Sequence, residues 1–266
     1  MPTILQEASQ LRDAGIHEII LIAQDTTDYG HDLGMNNGLA TLLEELIRAV
    51  PDLDWIRIMY AFPGYVTDRL IDVIGGNQQI LPYLDMPLQH AHPNTLRRMR
   101  RPANTEWVHR TLSKMRSVIS GLAIRTTFIV GYPGETEEEF QALMNFVKEI
   151  QFDRIGAFQF SFEPGTSSEP LGDPVSTKAK QDRYDRLMQL QQKISLQINQ
   201  SFVGRTMDVL VEGFDNGISI GRSYRDAPEI DGLVMIEGEA EVGEIVPVKI
   251  TGAMAYDLSG IPLDRD

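Results

Sequence analysis

Apolar residues in this chain come in short runs separated by amphipathic helical stretches, and that alternation narrows the possible folds more than any other property. The runs are His17-Glu-Ile-Ile-Leu-Ile-Ala23, Trp55 to Tyr60, Tyr83-Leu-Asp-Met86, Ile124 to Val130 and Arg154 to Phe162. The first reads as a strand buried on both faces. Helical spacing covers Ile4 to Leu11, with Gly15 placed as a terminator, then Leu39 to Ala49, Thr67 to Ile74, Thr95 to Arg101 and Glu106 to Ile119. Five strands alternating with helices predict an α/β protein whose parallel sheet has right-handed crossovers. Ligands of such sheets gather at the carboxyl ends of the strands.

The fourth run leads into the most informative stretch, Ile124-Arg-Thr-Thr-Phe-Ile-Val-Gly-Tyr-Pro-Gly-Glu-Thr-Glu-Glu-Glu-Phe140. A strand turns on Gly131, Pro133 and Gly134 and enters a helix whose Thr136 and Glu139 have the spacing of a capping box. Arg125 and Thr127 alternate with Phe128, so one face of this strand carries the polar groups. A long helix from Thr177 to Asn199, with Tyr184, Leu187, Leu190, Ile194 and Ile198 along one side, closes or connects the sheet. Beyond Phe202 the character changes to short β-rich runs at Thr206 to Val211, Ile218 to Arg222, Leu233 to Ile236 and Ile245 to Thr251, separated by Gly, Asn and Asp. That pattern predicts a small all-β, OB-like barrel, with domains at 1–202 and 203–266.

Composition removes several functions. The 266 residues contain no cysteine, which excludes disulfides, thiolate metal sites and cysteine nucleophiles within them. A formal charge of −14 argues against general nucleic-acid affinity. The longest apolar run, Ile19 to Ala23, falls far short of the ~20 residues of a membrane span. The first residues have no basic segment followed by an apolar one, so the expectation is a cytoplasmic protein.

Six motifs in order resemble one family: Gln24-Asp25-Thr26-Thr27; Leu84-Asp-Met-Pro-Leu-Gln-His90; Met99-Arg-Arg-Pro102 with Asn104-Thr105; Arg125 to Thr136; Glu163-Pro-Gly-Thr166; and Asp226-Ala-Pro-Glu-Ile-Asp-Gly232. They resemble the radical S-adenosylmethionine (SAM) methylthiotransferases over essentially the whole chain. The match is strongest to the branch that methylthiolates an aspartate of small-subunit ribosomal protein twelve. The resemblance implies a partial radical-SAM (β/α) barrel followed by a TRAM domain. It also implies S-adenosylmethionine and two [4Fe–4S] clusters in the parent enzyme. The family's first strand, its Cys-x-x-x-Cys-x-x-Cys loop and an N-terminal domain have no counterpart here. The expectation is therefore that this chain alone is inactive, and that the run His17 to Ala23 forms an open, aggregation-prone edge.

By the same resemblance Gln24, Asp25, Gln89, His90, Arg125, Thr127, Gly131 and Phe160 are the cofactor-binding candidates, with no catalytic or metal residue assigned. Each has a plainer alternative. Gln24 and Asp25 suit an ammonium group or cap the next helix. Gln89 and His90 follow the third strand; His90 with His92 is a poor metal pair without further ligands. Arg125 inside a barrel is costly unless paired, either with the cofactor's carboxylate or with a nearby Asp or Glu. Gly131 and Gly134 would let the backbone approach the adenosine. Phe158 and Phe160 alternate on the last strand, as core or with one facing the adenine. The cluster Arg97, Arg98, Arg100 and Arg101 is a solvated helix face or a contact surface.

Residues 203–266 hold five basic and thirteen acidic residues, a net charge of −8. Such a surface repels RNA and suits a basic ribosomal protein as partner. Two alternatives stay open: a sibling that modifies transfer RNA, and a non-catalytic fragment that binds the ribosomal protein through the acidic domain.

Overall fold

The computed structural model describes residues 1–263; the last residues of the 203–266 segment, including Arg265, lie outside them. Helix α1 (Pro2–Asp13) precedes β1 (Glu18–Leu21), α2 (Gly38–Ala49), β2 (Trp55–Ile58), α3 (Asp68–Gly76) and β3 (Ile80–Asp85). Helices α4 (Pro93–Arg98) and α5 (Thr105–Val118) follow, then β4 (Ala123–Val130), α6 (Glu137–Ile150) and β5 (Arg154–Gln159). The five strands pair in parallel in the order β1-β2-β3-β4-β5. Sequential order with a helix after each strand is the open (β/α) arrangement that the alternation predicts.

Strand parity sorts the side chains. Ile56, Ile58, Leu84, Ile124, Phe128 and Val130 face the helices and share one core with Leu43, Leu46, Ile71, Met115, Phe140 and Val147. Each fully buried side chain of this size contributes about 1.5–3 kcal/mol. The opposite, concave face carries Trp55, Met59, Leu81, Tyr83 and Ala123 in a second cluster, together with Arg57, Asp85, Arg125, Thr127 and Arg154.

The long helix α7 (Thr177–Gln200) leads to β6 (Thr206–Asp215), β7 (Ile218–Ser223), β8 (Val234–Glu237), β9 (Ile245–Ala253) and β10 (Leu258–Pro262), which close as β10-β8-β7-β6-β9. This is the small all-β barrel expected beyond Phe202, filled by Val209, Val211, Val234, Ile236, Val248, Ile250 and Leu258.

Two expectations need correction. The run around β1 is not buried on both faces: only Ile19 is buried, and Ile22 is 65% exposed. The reason is position, since β1 pairs with β2 alone and forms the sheet's edge. The strand β10 is absent from the sequence reading because Ser259, Gly260 and Pro262 have turn-like propensities. Pairing to β9 and β8 overrides them.

The barrel is fastened into the concave face of the sheet. Arg57 donates Nε to Glu18 Oε1 (2.6 Å) and Nη1 to the Tyr224 carbonyl (2.8 Å). Glu18 also accepts from Arg222 Nη2 at 2.6 Å, so it bridges β2 and β7. Arg154 Nη2 donates to Asp226 Oδ1 (2.8 Å) and to the Tyr256 carbonyl (2.9 Å). Arg225 Nη2 donates to Asp153 Oδ1 at 3.0 Å. Ala227 packs into the apolar cluster between them.

Candidate active site

Above this plug, at the carboxyl ends of the strands, lies a cavity of about 530 Å³. Its lining includes Gln24 and Asp25 after β1, Tyr60 and Phe62 after β2, Gln89 after β3, Arg125 and Thr127 on β4, and Phe158 on β5. Arg101 and Ile230 complete the walls. Local chemistry shapes each loop. Asp25 Oδ1 accepts the Thr27 amide at 3.0 Å and a short bond from the Thr27 hydroxyl, capping the single turn Thr26–Asp28. Thr26 ties this loop to the end of β2, its amide donating to the Tyr60 carbonyl (3.0 Å) and its hydroxyl to that of Met59 (2.6 Å). Asp25 thus caps a turn and also lines the cavity.

Gln89 continues the line of β3 beside β4, donating its amide to the Thr127 carbonyl (2.8 Å) and accepting from Ile129 N (2.9 Å). Its φ is 70°, and Tyr60 has φ 56°. Two non-glycine residues in the left-handed region, both on one cavity, hold backbone strain that cores rarely keep.

Arg125 is the internal ion pair allowed for above. Its Nη1 lies 2.9 Å from Asp85 Oδ1, and its Nε 3.4 Å from Asp231 Oδ1. Burial pushes the pKa values of Asp85 and Asp231 up, against the lowering effect of Arg125.

Five of the eight candidates therefore meet: Gln24, Asp25, Gln89, Arg125 and Thr127. Three do not. His90 is buried beside a neighbouring apolar cavity of about 290 Å³, and its Nδ1 accepts the His92 amide at 3.0 Å. Burial lowers its pKa to about 3, so it is neutral. Gly131 has φ 72° and presses against the Lys180 side chain of α7, so the space its missing side chain leaves is already occupied. Phe160 is buried edge-on against Tyr132, with Lys180 Nζ 5.3 Å from its ring. Of Phe158 and Phe160, the one that reaches the cavity is Phe158, 59% exposed, opposite Ile129 in the β4–β5 register.

Sequence reasoning missed Tyr60, Phe62 and Ile230, and offered Arg101 only within a contact surface. Arg101 stands in the basic cluster, where Arg98 is bound to Glu139 and Arg97 to Asn94. Arg101 is the member of that cluster at the cavity. Ile230 comes from the β7–β8 connection of the barrel, and no local signal links it to a sheet whose last strand ends at Gln159.

The residues present suit one group of the family and not another. An iron–sulfur cluster needs thiolates, and there are none. No three His, Asp or Glu converge as a metal site among the described residues. A cavity of this size with amide, carboxylate, guanidinium, hydroxyl and aromatic groups does suit S-adenosylmethionine.

The profile of the Radical SAM superfamily matches residues 2–147, and that of the TRAM domain matches residues 203–262. The chain belongs to the Radical SAM superfamily and carries a TRAM domain. Among curated proteins it is similar to the ribosomal protein uS12 methylthiotransferase RimO of Chloroflexus aurantiacus, 52% identical over 97% of this chain and 58% of the relative. The RimO of Synechocystis sp. is 47% identical over 99% of this chain and 59% of the relative. The chain thus spans somewhat over half the length of these relatives. Of solved structures, the radical SAM enzyme HemN from Escherichia coli superposes with TM-score 0.55 over 71% of this chain and 46% of that one, at 17% identity. The methyltransferase TsrM from Kitasatospora setae does so with TM-score 0.50 over 82% of this chain and 36% of its own, at 15% identity. At those identities the likeness concerns the fold.

Proposed function

We propose that the cavity binds S-adenosylmethionine and that the whole protein is a methylthiotransferase acting on an aspartate of ribosomal protein uS12. The observation that carries this reading is the convergence of Gln24, Asp25, Gln89, Arg125 and Thr127 on one cavity at the strand ends. Half-identity to RimO enzymes along nearly all of the chain supports it. Gln24 and Asp25 face the ammonium end, Gln89 the hydroxyls, and Phe158 the adenine. When bound, S-adenosylmethionine supplies the carbon radical and the methyl group of methylthiotransferase chemistry. The chain's own residues bind and orient it. The two clusters implied by the family would draw their thiolates from residues this chain does not contain.

The division at 1–202 and 203–266 is part of the same reading, supported by the change from an open parallel sheet to a closed barrel. So is a cytoplasmic site of action. No helix among the described residues is long and apolar enough to cross a membrane. The partner surface is the outer side of the acidic barrel, where Asp208, Asp215, Glu237, Glu239 and Glu241 are exposed. Asp226 and Asp231 are turned inward and do not count toward it.

Calorimetric titration with S-adenosylmethionine tests the cofactor reading. Binding should weaken about tenfold in Phe158→Ala, since a stacked aromatic is worth about 0.5–1.5 kcal/mol beyond its area. Unchanged affinity in both Phe158→Ala and Gln24→Ala would remove the cavity from consideration. For the substrate, incubation of the complete, cluster-loaded protein with uS12 should add one methylthio group to an aspartate, read by peptide mass spectrometry. A product on transfer RNA instead would assign the sibling activity.

A further inference from the structure

Arg125 is held from two sides by carboxylates of different origin. Asp85 comes from the end of β3, and Asp231 from the loop between β7 and β8 of the barrel, 1% exposed at its side chain. Asp231 is itself fixed: its Oδ2 accepts from the Tyr83 hydroxyl at 2.6 Å and from the Ala227 amide at 3.0 Å. Nη1 and Nε of Arg125 are thereby engaged. Nη2 has no hydrogen-bond partner among the described residues, and it is not among the buried, sealed polar atoms. It lies beside Gly156, where an added Cβ would stand 3.2 Å from it. Gly156 is opposite Thr127 in the register and so leaves the guanidinium room. Thr127 Oγ1 accepts from Nη1 at 3.4 Å, which frees its own proton to donate into the cavity.

We propose that Asp231 is a positioning residue: delivered by the C-terminal barrel, it pins Arg125 so that Nη2 and the Thr127 hydroxyl form a carboxylate-receiving corner of the cavity. The inference rests on the cavity reading above. An arginine whose Nη1 is hydrogen-bonded to one carboxylate and whose Nε is ion-paired with another keeps Nη2 as its one free directed donor, and charge-assisted bonds to it are about twice as strong as neutral ones. Arg101 on the same cavity, with no side-chain partner among the described residues, adds a second positive group. The receiving corner suits either the carboxylate of the cofactor's methionine part or the side chain of an aspartyl substrate.

The test is the carboxylate preference of the full chain, read by calorimetry with two ligand pairs. One pair is S-adenosylmethionine and its decarboxylated analogue. The other is a short basic peptide containing one aspartate and the same peptide with asparagine. Wild type should prefer the carboxylate member of one pair by about tenfold or more, and the pair that discriminates names the source. Asp231→Asn should bring that ratio near unity while leaving affinity for the carboxylate-free member unchanged, whereas a merely structural role would weaken both members alike. Asp231→Glu should restore part of the ratio. If Asp231→Asn does not fold, Tyr83→Phe, which removes one support of Asp231, is read in the same way. A ratio unchanged in the variants overturns the proposal, as does a wild type with no preference in either pair. Binding of S-adenosylmethionine without preference leaves the cavity reading standing, and no binding of any probe removes both.

Discussion

Glu135 is strongly altered by its surroundings. Its Oε2 accepts the amides of Gly131 and Tyr132, holding the turn after β4, and Arg183 lies 3.3 Å from Oε1. Burial raises its pKa from about 4.5 to about 7 against the opposing pull of Arg183 and those amides, with Glu139 adding to the rise. The folded state therefore holds a proton that the unfolded state has released, and stability falls as pH rises from about 4.5 to 7. At 1.36 kcal/mol per unit this amounts to about 3 kcal/mol at most. Urea unfolding at pH 5 and pH 8 should show the decline in wild type and a flatter dependence in Glu135→Gln. Equal slopes would contradict the assignment. Gln89 offers a second test at this scale. Its left-handed backbone costs about 1 kcal/mol that glycine would not incur. Gln89→Gly should raise stability by up to that amount while weakening S-adenosylmethionine binding, measured on the same preparations.

At the scale of elements, the turn and helix after β4 were readable in advance because their determinants are local. Thr136 Oγ1 accepts the Glu139 amide and Glu139 accepts the Thr136 amide, as the spacing requires. Glu139 also holds α4, accepting from Arg98 and from the Thr95 hydroxyl. Thr136→Ala should cost about 1 kcal/mol. Glu139→Ala should cost more, roughly 3 kcal/mol, because it leaves the Arg98 guanidinium without its buried partner. Denaturant midpoints at constant m-value would establish the order. What could not be read was pairing. Whether Phe158 or Phe160 faces the cavity depends on where β5 stops hydrogen-bonding to β4, and no single-strand pattern encodes that. The fully buried Arg57 and the inward Asp231 are likewise unreadable, since each is explained by a partner far along the chain.

At the scale of the whole molecule, an exposed edge at β1 and a fastened seam decide behaviour. At the edge, β1 has no partner on its outer side among the described residues, and Ile22 is exposed beside it. This is a template for strand addition. Light scattering should find self-association that Ile22→Lys reduces, and a monodisperse wild type would count against the expectation. At the seam, Glu18 joins Arg57 and Arg222, all nearly sealed from solvent. Glu18→Ala should cost roughly 3–5 kcal/mol and split thermal unfolding into two calorimetric transitions as the barrel undocks.

That seam has a consequence for how the molecule is made. Arg154 is in place on the sheet long before its counterion Asp226, and Arg125, though Asp85 already pairs with it, stands there before Asp231; both late carboxylates come from the barrel. A growing polypeptide emerging from the ribosome would carry a wet hollow, with Arg154 short of its carboxylate, until the barrel segment arrives. The pocket becomes dry and rigid only when that segment docks, so docking of the barrel and maturation of the ligand site are one event.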